Sequence, residues 1–504
     1  MPSNQDPVID GERLRALLDG VNKFGRLETG GFDRHAFSDA DMAARDWLAE
    51  QMETMGLAVR RDAAGNVIGR FGDGSGAAIL IGSHLDTVPG GGALDGALGV
   101  CVALESVRAL QAAGIRPASP IEVVATSDEE GRFGGMLGSE ALAGKITRDR
   151  AFALRDGNGV MLADVLKARQ VDPAALADAA LSPEDVKAFL EIHIEQGPVL
   201  EEAGETIGIV ETVTGICTWQ VTLEGAANHA GTTPMDMRSD AFAGLAEIAA
   251  TIPSIIRIVG GENSRVTVGK VEVLPNHPHT IPERVVFSLA IRDPKEKVIR
   301  TIAAAFRALI ERIAKSRKLS AEIREAEWVG PAEMDADLAE LVEGEATRLA
   351  LPFRRMHSGA GHDAQVMQSL CPSALIFVPS RGGVSHAPAE ATDWSDIESG
   401  ASLFLSVLTR LCGAADDRDF DRTEEPRNDD LPAAAPVVAE EAEAMNASDW
   451  PSDEEETSIQ PAASSVEAAE ATADDDVDFD FDLDLDEISI TDEDVSLSKE
   501  DLRK

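Results

Sequence analysis

The string GSHLDTVPGGGALDGALG, residues 82–99, sets His84, Asp86 and Asp95 on a glycine-rich stretch directly after the apolar run Ala77-Ala78-Ile79-Leu80-Ile81. An imidazole at the carboxyl end of a buried strand can hold a metal ion when carboxylates follow and glycines let the backbone come near. A second run, Ile121-Glu122-Val123-Val124-Ala125-Thr126, ends in Ser127-Asp128-Glu129-Glu130-Gly131. Adjacent carboxylates in a cleft raise each other's pKa unless a cation or a shared proton relieves them. Taken alone, the first string is a His-x-Asp triplet that chance also supplies, and the second reads equally as a solvated acidic turn. Two further histidines add weight. His193 lies in Phe189-Leu190-Glu191-Ile192-His193-Ile194-Glu195-Gln196-Gly197-Pro198, whose alternation puts residues 191, 193 and 195 on one strand face. His386 follows the apolar run Ala374-Leu375-Ile376-Phe377-Val378. Four apolar runs thus lead into nitrogen and oxygen donors, a set without thiolate that suits zinc, manganese, cobalt or nickel.

These runs need a scaffold that brings their ends together. Helical and strand patterns alternate to about Val213, which predicts an α/β layer structure with a mostly parallel sheet. The next segment reads as strand Cys217 to Leu223, helix Asp240 to Thr251, strands Arg265 to Val273 and Val285 to Ile291, helix Lys297 to Ala314, and strand Ala321 to Glu325. A small open-faced α+β sheet covered by two helices fits that order. Near Glu327 the first domain resumes, because His386 must join the other donors. The expected division is therefore 1–213 and 326–412 for the donor-bearing domain and 214–325 for the insertion. A long Ala-rich helix is expected to open at Met235 to Arg238, just after His229.

Beyond Cys412 the character changes. The chain has 504 residues and a formal net charge of −45, and residues 413–504 hold 32 Asp and Glu against 6 Lys and Arg, so 26 of those charges sit there. Such a segment lacks the apolar surface to offset chain entropy and is expected to be disordered. Its strict period of two, from Asp476 to Asp486, could add a strand to a protein partner, although a solubilising acidic tail is the plainer reading. The acidic balance excludes nucleic acid as an expected partner. No run approaches the ~20 apolar residues of a membrane helix, and Met1 to Asp6 lacks the features of a secretory signal, so the cytoplasm is expected. Cys101, Cys217, Cys371 and Cys412 are scattered in apolar surroundings and read as reduced core residues.

Seven strings in order extend the pattern: FGRLETGGFDRHAFSDAD (24–41), GSHLDTVPGGGALDGALGV (82–100), DEEGRFGG (128–135), EIHIEQGPVLE (191–201), NHAGTTPMDMRSDA (228–241), SGAGHDAQ (358–365) and VSHAPAE (384–390). From about Glu12 to about Leu411 the chain resembles the dinuclear metal-dependent amidohydrolases of the amidase, hydantoinase/carbamoylase type. These include N-carbamoyl-L-amino acid hydrolases, allantoate amidohydrolases and β-ureidopropionases. The strings containing HIEQGP and HAGTTPMDMRSDA are similar to the ureido-hydrolysing branch, with aminoacylases and dipeptidases as the alternative. A non-catalytic binding protein using the acidic tail is the further alternative, opposed by the complete set of donors.

The resemblance implies a metallo-aminopeptidase-like catalytic domain with an inserted ferredoxin-like lid and dimerisation domain. It implies two divalent metal ions, with Asp95 between them, His84 and His193 completing one position and Glu130 and His386 the other. Asp86 would fix the His84 ring through its second nitrogen. Glu129 would be the general base, free to take a proton from the attacking water while its neighbour Glu130 is tied to metal. His229 would cross a homodimer interface and stabilise the oxyanion. Arg292 would grip the carboxylate of a small-molecule substrate. Gln196 and His362 would contact substrate. The sequence departs from the family at two places: His279 stands in His279-Thr280-Ile281-Pro282-Glu283 where Asn is usual, and Ala290 where Asp is usual. An imidazole differs from an amide in reach and can gain charge near neutral pH, so an altered substrate is expected.

Overall fold

The computed structural model describes residues 6–74 and 76–413, so the acidic segment from 414 onward, with its period-two stretch, lies outside the described residues. Contacts divide the chain into two units. The first runs to Ile216 and resumes at Val329, with the short piece Arg292–Glu296; the second comprises Cys217–Ile291 and Lys297–Trp328. Both junctions fall after the expected ones, at 216 rather than 213 and at 328 rather than 325.

The strands, in chain order, are β1 (Ala58–Arg61), β2 (Val67–Phe71), β3 (Ala78–His84), β4 (Ile121–Thr126), β5 (Val186–Ile194), β6 (Ile207–Val213), β7 (Gly215–Glu224), β8 (Arg265–Leu274), β9 (Arg284–Asp293), β10 (Ser320–Val329), β11 (Ala332–Glu333), β12 (Phe353–Ser358) and β13 (Ser373–Val378). In the first unit nine of them form one sheet, ordered β1-β2-β4-β3-β5-β13-β6-β11, with β12 beside β6. The centre, β4-β3-β5-β13, is parallel, whereas the β1–β2, β2–β4, β13–β6 and β6–β11 pairs are antiparallel. β12 also runs parallel to β6, so the sheet is mixed, with a parallel centre and antiparallel flanking pairs. Apolar content marks burial on both faces but carries no strand direction, which is why the flanks escaped the sequence reading.

Burial on both faces is explicit in β3, where Ile79 and Ile81 join one apolar cluster and Ala78 and Leu80 join another. β13 divides likewise, Ala374, Ile376 and Val378 against Leu375 and Phe377. Helices Ala97–Ala112 and Trp394–Cys412 contribute Val100, Leu104, Val107, Phe404, Val407 and Leu408 to the first cluster. Each fully buried Leu, Ile or Phe of this kind contributes roughly 1.5–3 kcal/mol.

The second unit has the sheet β10-β7-β9-β8 and follows the chain order of a β-α-β-β-α-β motif. Alternate residues Cys217, Trp219, Val221 and Leu223 of β7 face helix Glu296–Arg317, which presents Ile299, Ile302, Phe306, Leu309, Ile310 and Ile313. The first covering helix is Ala241–Ala250, capped by the Asp240 side chain accepting from the Ala243 N–H, which matches the helix read over Asp240 to Thr251 but not an opening at Met235 to Arg238. Met235–Met237 is a single 3-10 turn, and a separate helix, Ile252–Val259, follows with Pro253 in its first turn. Proline suits that first turn and breaks continuity with what precedes it.

No single helix among the described residues is long and apolar enough to cross a membrane. All four cysteines are free and buried. Burial pushes the Cys101, Cys217 and Cys371 thiols up to about 12 and Cys412 up to about 11. A thiol reagent at pH 8 is therefore expected to leave the native protein unlabelled and to modify all four after unfolding. Rapid labelling of the native protein would contradict this packing.

Candidate active site

Because β4, β3, β5 and β13 are parallel neighbours, their carboxyl ends share one edge of the sheet. His84 ends β3 and pairs in register with Thr126, the last residue of β4; His193 on β5 pairs with Phe377 of β13. Glu129 and Glu130 follow β4 across a turn in which Asp128 has φ 53°, and His386, itself at φ 54°, lies in the loop beyond β13. Asp95 lies on the glycine-rich segment just ahead of helix Ala97–Ala112.

The centre of the site is Asp95. Its Oδ1 is 3.4 Å from His84 Nε2 and 3.1 Å from His193 Nε2, and its Oδ2 is 3.3 Å from His386 Nε2. Glu130 Oε2 lies 3.4 Å from the same His386 nitrogen, and Glu129 Oε2 lies 3.6 Å from His84 Nε2. Two donor groups result, His84-Asp95-His193 and Asp95-Glu130-His386, each with ligand atoms within 4.8 Å of one another. The first is buried throughout, whereas the His386 side chain is 50% exposed, so the second opens to solvent.

The imidazoles are oriented for ligation. His84 Nδ1 lies 3.0 Å from the Asp86 carbonyl oxygen and His193 Nδ1 lies 2.9 Å from that of Ile194. Carbonyls only accept, so Nδ1 is protonated in each ring and Nε2 is the nitrogen turned to Asp95. Gly96, at φ 63°, makes room for this, since a Cβ there would lie 2.5 Å from the His84 ring. The expected role of Asp86 is corrected in its atoms: its backbone carbonyl meets the His84 ring, while carboxylate Oδ2 accepts from the Glu130 N–H at 3.1 Å. Side-chain identity could not reveal a main-chain partner.

Charge is concentrated and mutually compensated. Burial raises Glu129 well above the usual carboxylate range, with His84 opposing and Glu130 adding to the shift. Burial, then Asp95, takes Glu130 up to about 7. Asp95 is buried too, but hydrogen bonds from His193, His386 and His84 hold it well below the usual range. The hydrogen bond to Asp95 lifts His386 to about 9. Burial works against a charged His84, yet Glu129, Asp95 and Asp86 hold it well above the usual imidazole range. Three carboxylates this enclosed need positive charge, and buried Glu130 Oε1 has no hydrogen-bond partner. The nitrogen and oxygen donors present therefore fit divalent cations.

Other expected residues fall in different places. Gln196, at φ 61°, donates from Nε2 to Asp95 Oδ2 at 2.9 Å and to Ser385 Oγ at 3.2 Å, so it braces the shared aspartate. His362 is fully buried, edge-on to His193 at 4.6 Å between ring centroids, with Nε2 3.0 Å from Ser358 Oγ. Burial, with His193 beside it, holds it well below the usual imidazole range. Arg292 Nη1 donates to the Gly359 carbonyl at 2.6 Å. His229 and His279 are exposed residues of the second unit, brought together where the Ala230 N–H donates to the His279 carbonyl at 3.0 Å and residue 229 bridges Thr280.

Two supports escaped the sequence reading. Arg45, buried, bonds Asp41 at 2.8 Å and donates to the Thr126 and Ala125 carbonyls at 2.7 and 3.1 Å, pinning the end of β4. Glu390 accepts from the Leu94 and Asp95 N–H groups; only its place in VSHAPAE hinted at it.

An α/β sheet whose parallel strands deliver imidazoles and carboxylates to one edge around a shared aspartate defines a metallohydrolase-type site. The chain belongs to peptidase family M20/M25/M40, whose family model matches residues 80–410. It is 39% identical over 410 residues to an N-carbamoyl-L-amino acid amidohydrolase of Geobacillus stearothermophilus, covering 80% of this chain and 99% of that protein. It is 33% identical over 406 residues to the allantoate amidohydrolase of Escherichia coli (strain K12), covering 79% and 98%. The crystal structure of an amidase of the hydantoinase/carbamoylase family from Burkholderia multivorans matches with a TM-score of 0.75 at 34% identity, covering 81% of this chain and 100% of that one. The protein is accordingly an enzyme, a hydrolase of carbon–nitrogen bonds.

Proposed function

We propose that this protein is a dinuclear metal-dependent hydrolase that cleaves the ureido C–N bond of a small carboxylate substrate, such as an N-carbamoyl-L-amino acid or allantoate. The observation that carries the reading is Asp95, shared by two donor triads, with Glu129 beside His84 of the first. Relatives matched over nearly their whole length support the substrate class.

His84, Asp95 and His193 would hold one divalent ion and Asp95, Glu130 and His386 the other, with zinc or manganese ahead of cobalt or nickel. When bound, such ions polarise a carbonyl and make water acidic near neutral pH. Glu129 takes the proton from the attacking water at its carboxylate and delivers it to the leaving nitrogen. A carboxyl lifted by burial is suited to both halves of that transfer. Asp86 steadies the Glu129-Glu130 turn through the Glu130 N–H. Arg292 binds the substrate carboxylate in exchange for the Gly359 carbonyl. Gln196 orients substrate from its place beside Asp95, and His362 supports the pocket from behind His193. His279, in place of the family's Asn, shifts substrate preference.

The second unit is the lid and dimerisation domain of a cytoplasmic homodimer, in which His229 supplies the oxyanion donor. If so, mixing His229→Ala with Glu129→Gln regenerates activity, because one of the two sites in a mixed dimer receives both intact groups. Demonstrated mixed dimers without activity would remove His229 from that role. The acidic segment 413–504 contributes solubility or docks a protein partner and is not needed for turnover. Substrate class is tested by comparing kcat/KM for the N-carbamoyl and N-acetyl derivatives of one amino acid. A clear preference for N-carbamoyl is expected; preference for N-acetyl would make the enzyme an aminoacylase.

A further inference from the structure

The Glu390 carboxylate joins two parts of the site nearly three hundred residues apart in the chain. One oxygen, Oε1, accepts from consecutive main-chain N–H groups, Leu94 at 2.8 Å and Asp95 at 3.1 Å. The other, Oε2, accepts from Ser385 Oγ at 2.9 Å, next to His386. Ser385 Oγ is also 3.3 Å from Asp95 Oδ2. The carboxylate is buried, and room for it depends on Gly92, where a Cβ would lie 2.0 Å from Oε1.

We propose that Glu390 is a positioning residue that holds Asp95 and the His386 loop in one frame, and that it sets the affinity of the outer metal position, Asp95-Glu130-His386, more than that of the inner. The two sides of the tether differ in their other supports. Asp95 is anchored by the helix that follows it, the Ala97 N–H donating to its carbonyl at 2.7 Å. His386 is half-exposed, at left-handed φ in a loop whose neighbouring Ser385 makes its shortest contact to Glu390, at 2.9 Å, beside a longer one from Gln196 Nε2 at 3.2 Å. Removing the carboxylate therefore releases the His386 side first. Outer partners of this kind are commonly worth about 10–100-fold in metal affinity.

The inference rests on the two-metal reading, so the experiment measures both. Metal-stripped full-length protein is titrated with manganese(II) in a calorimeter. Wild type is expected to take two equivalents. Glu390→Ala keeps the first near its wild-type affinity and binds the second about tenfold or more weakly. Glu390→Gln, whose amide oxygen still accepts from Leu94 and Asp95, recovers part of the loss. Ser385→Ala cuts the same tether from its other end and repeats the selective loss, which keeps the test open if the alanine variant at 390 does not fold. Unchanged affinities, or equal weakening of both equivalents with a lowered unfolding temperature, overturn the proposal. A wild-type stoichiometry below two overturns the two-metal reading itself, before any substitution is made, and this inference with it.

Discussion

Glu129→Gln lowers kcat by about a thousandfold or more while two metal equivalents stay bound. The substitution keeps the shape of a side chain that is 8% exposed and lies 3.6 Å from His84 Nε2. It removes a carboxylate that burial has lifted well above its usual range, the property that lets one group accept and later return a proton. General bases of this kind contribute about 10²–10⁴-fold, and here one group serves both attack and departure, which places the loss at the upper end. Steady-state kinetics beside metal analysis of the same sample checks it. Retained turnover would move the base elsewhere, and lost metal would make Glu129 a ligand.

Asp95→Ala abolishes both metal positions together. Its two oxygens approach three imidazoles; it is the main group raising His193 and His386, and it shares that part with Glu129 and Asp86 at His84. Replacing an outer partner commonly costs about 10–100-fold in metal affinity, and a carboxylate common to both triads has more to lose. The expected result is a fall of more than about a hundredfold in affinity for each equivalent, with turnover lost in parallel. His386→Ala, by contrast, removes a donor from one triad, so the inner equivalent survives. If Asp95→Ala kept one equivalent at wild-type affinity, the aspartate would belong to one position and not to two.

Much of this arrangement is legible in the sequence, for a local reason. A strand buried on both faces announces itself as an uninterrupted apolar run, and a donor placed at its end, such as His84 after β3 or Glu129 after β4, sits at the sheet edge by construction. The second unit was legible through alternation: Cys217, Trp219, Val221 and Leu223 mark one face of β7 from spacing alone. What escaped depends on partners far away in the chain or on backbone atoms. The Asp86 contact to His84 is made by a carbonyl, Arg45 reaches Ala125 and Thr126 across 80 and 81 positions, and Glu390 reaches Leu94 across 296. None of these leaves a periodic signal. The helix at Asp240 to Thr251 is found nearly as read, with Asp240 as its cap, whereas Met235 to Arg238 does not open it: that stretch makes only a 3-10 turn.

Release of ammonia from N-carbamoyl-L-amino acids and allantoate, by protein stripped of metal and reloaded with manganese, zinc, cobalt or nickel, is the most direct test of a dinuclear ureido hydrolase. Ammonia that appears only after reloading, and reaches its maximum at two equivalents of metal, is the predicted result. Folded protein carrying two equivalents that releases none, yet cleaves N-acetyl-amino acids or dipeptides, would contradict it.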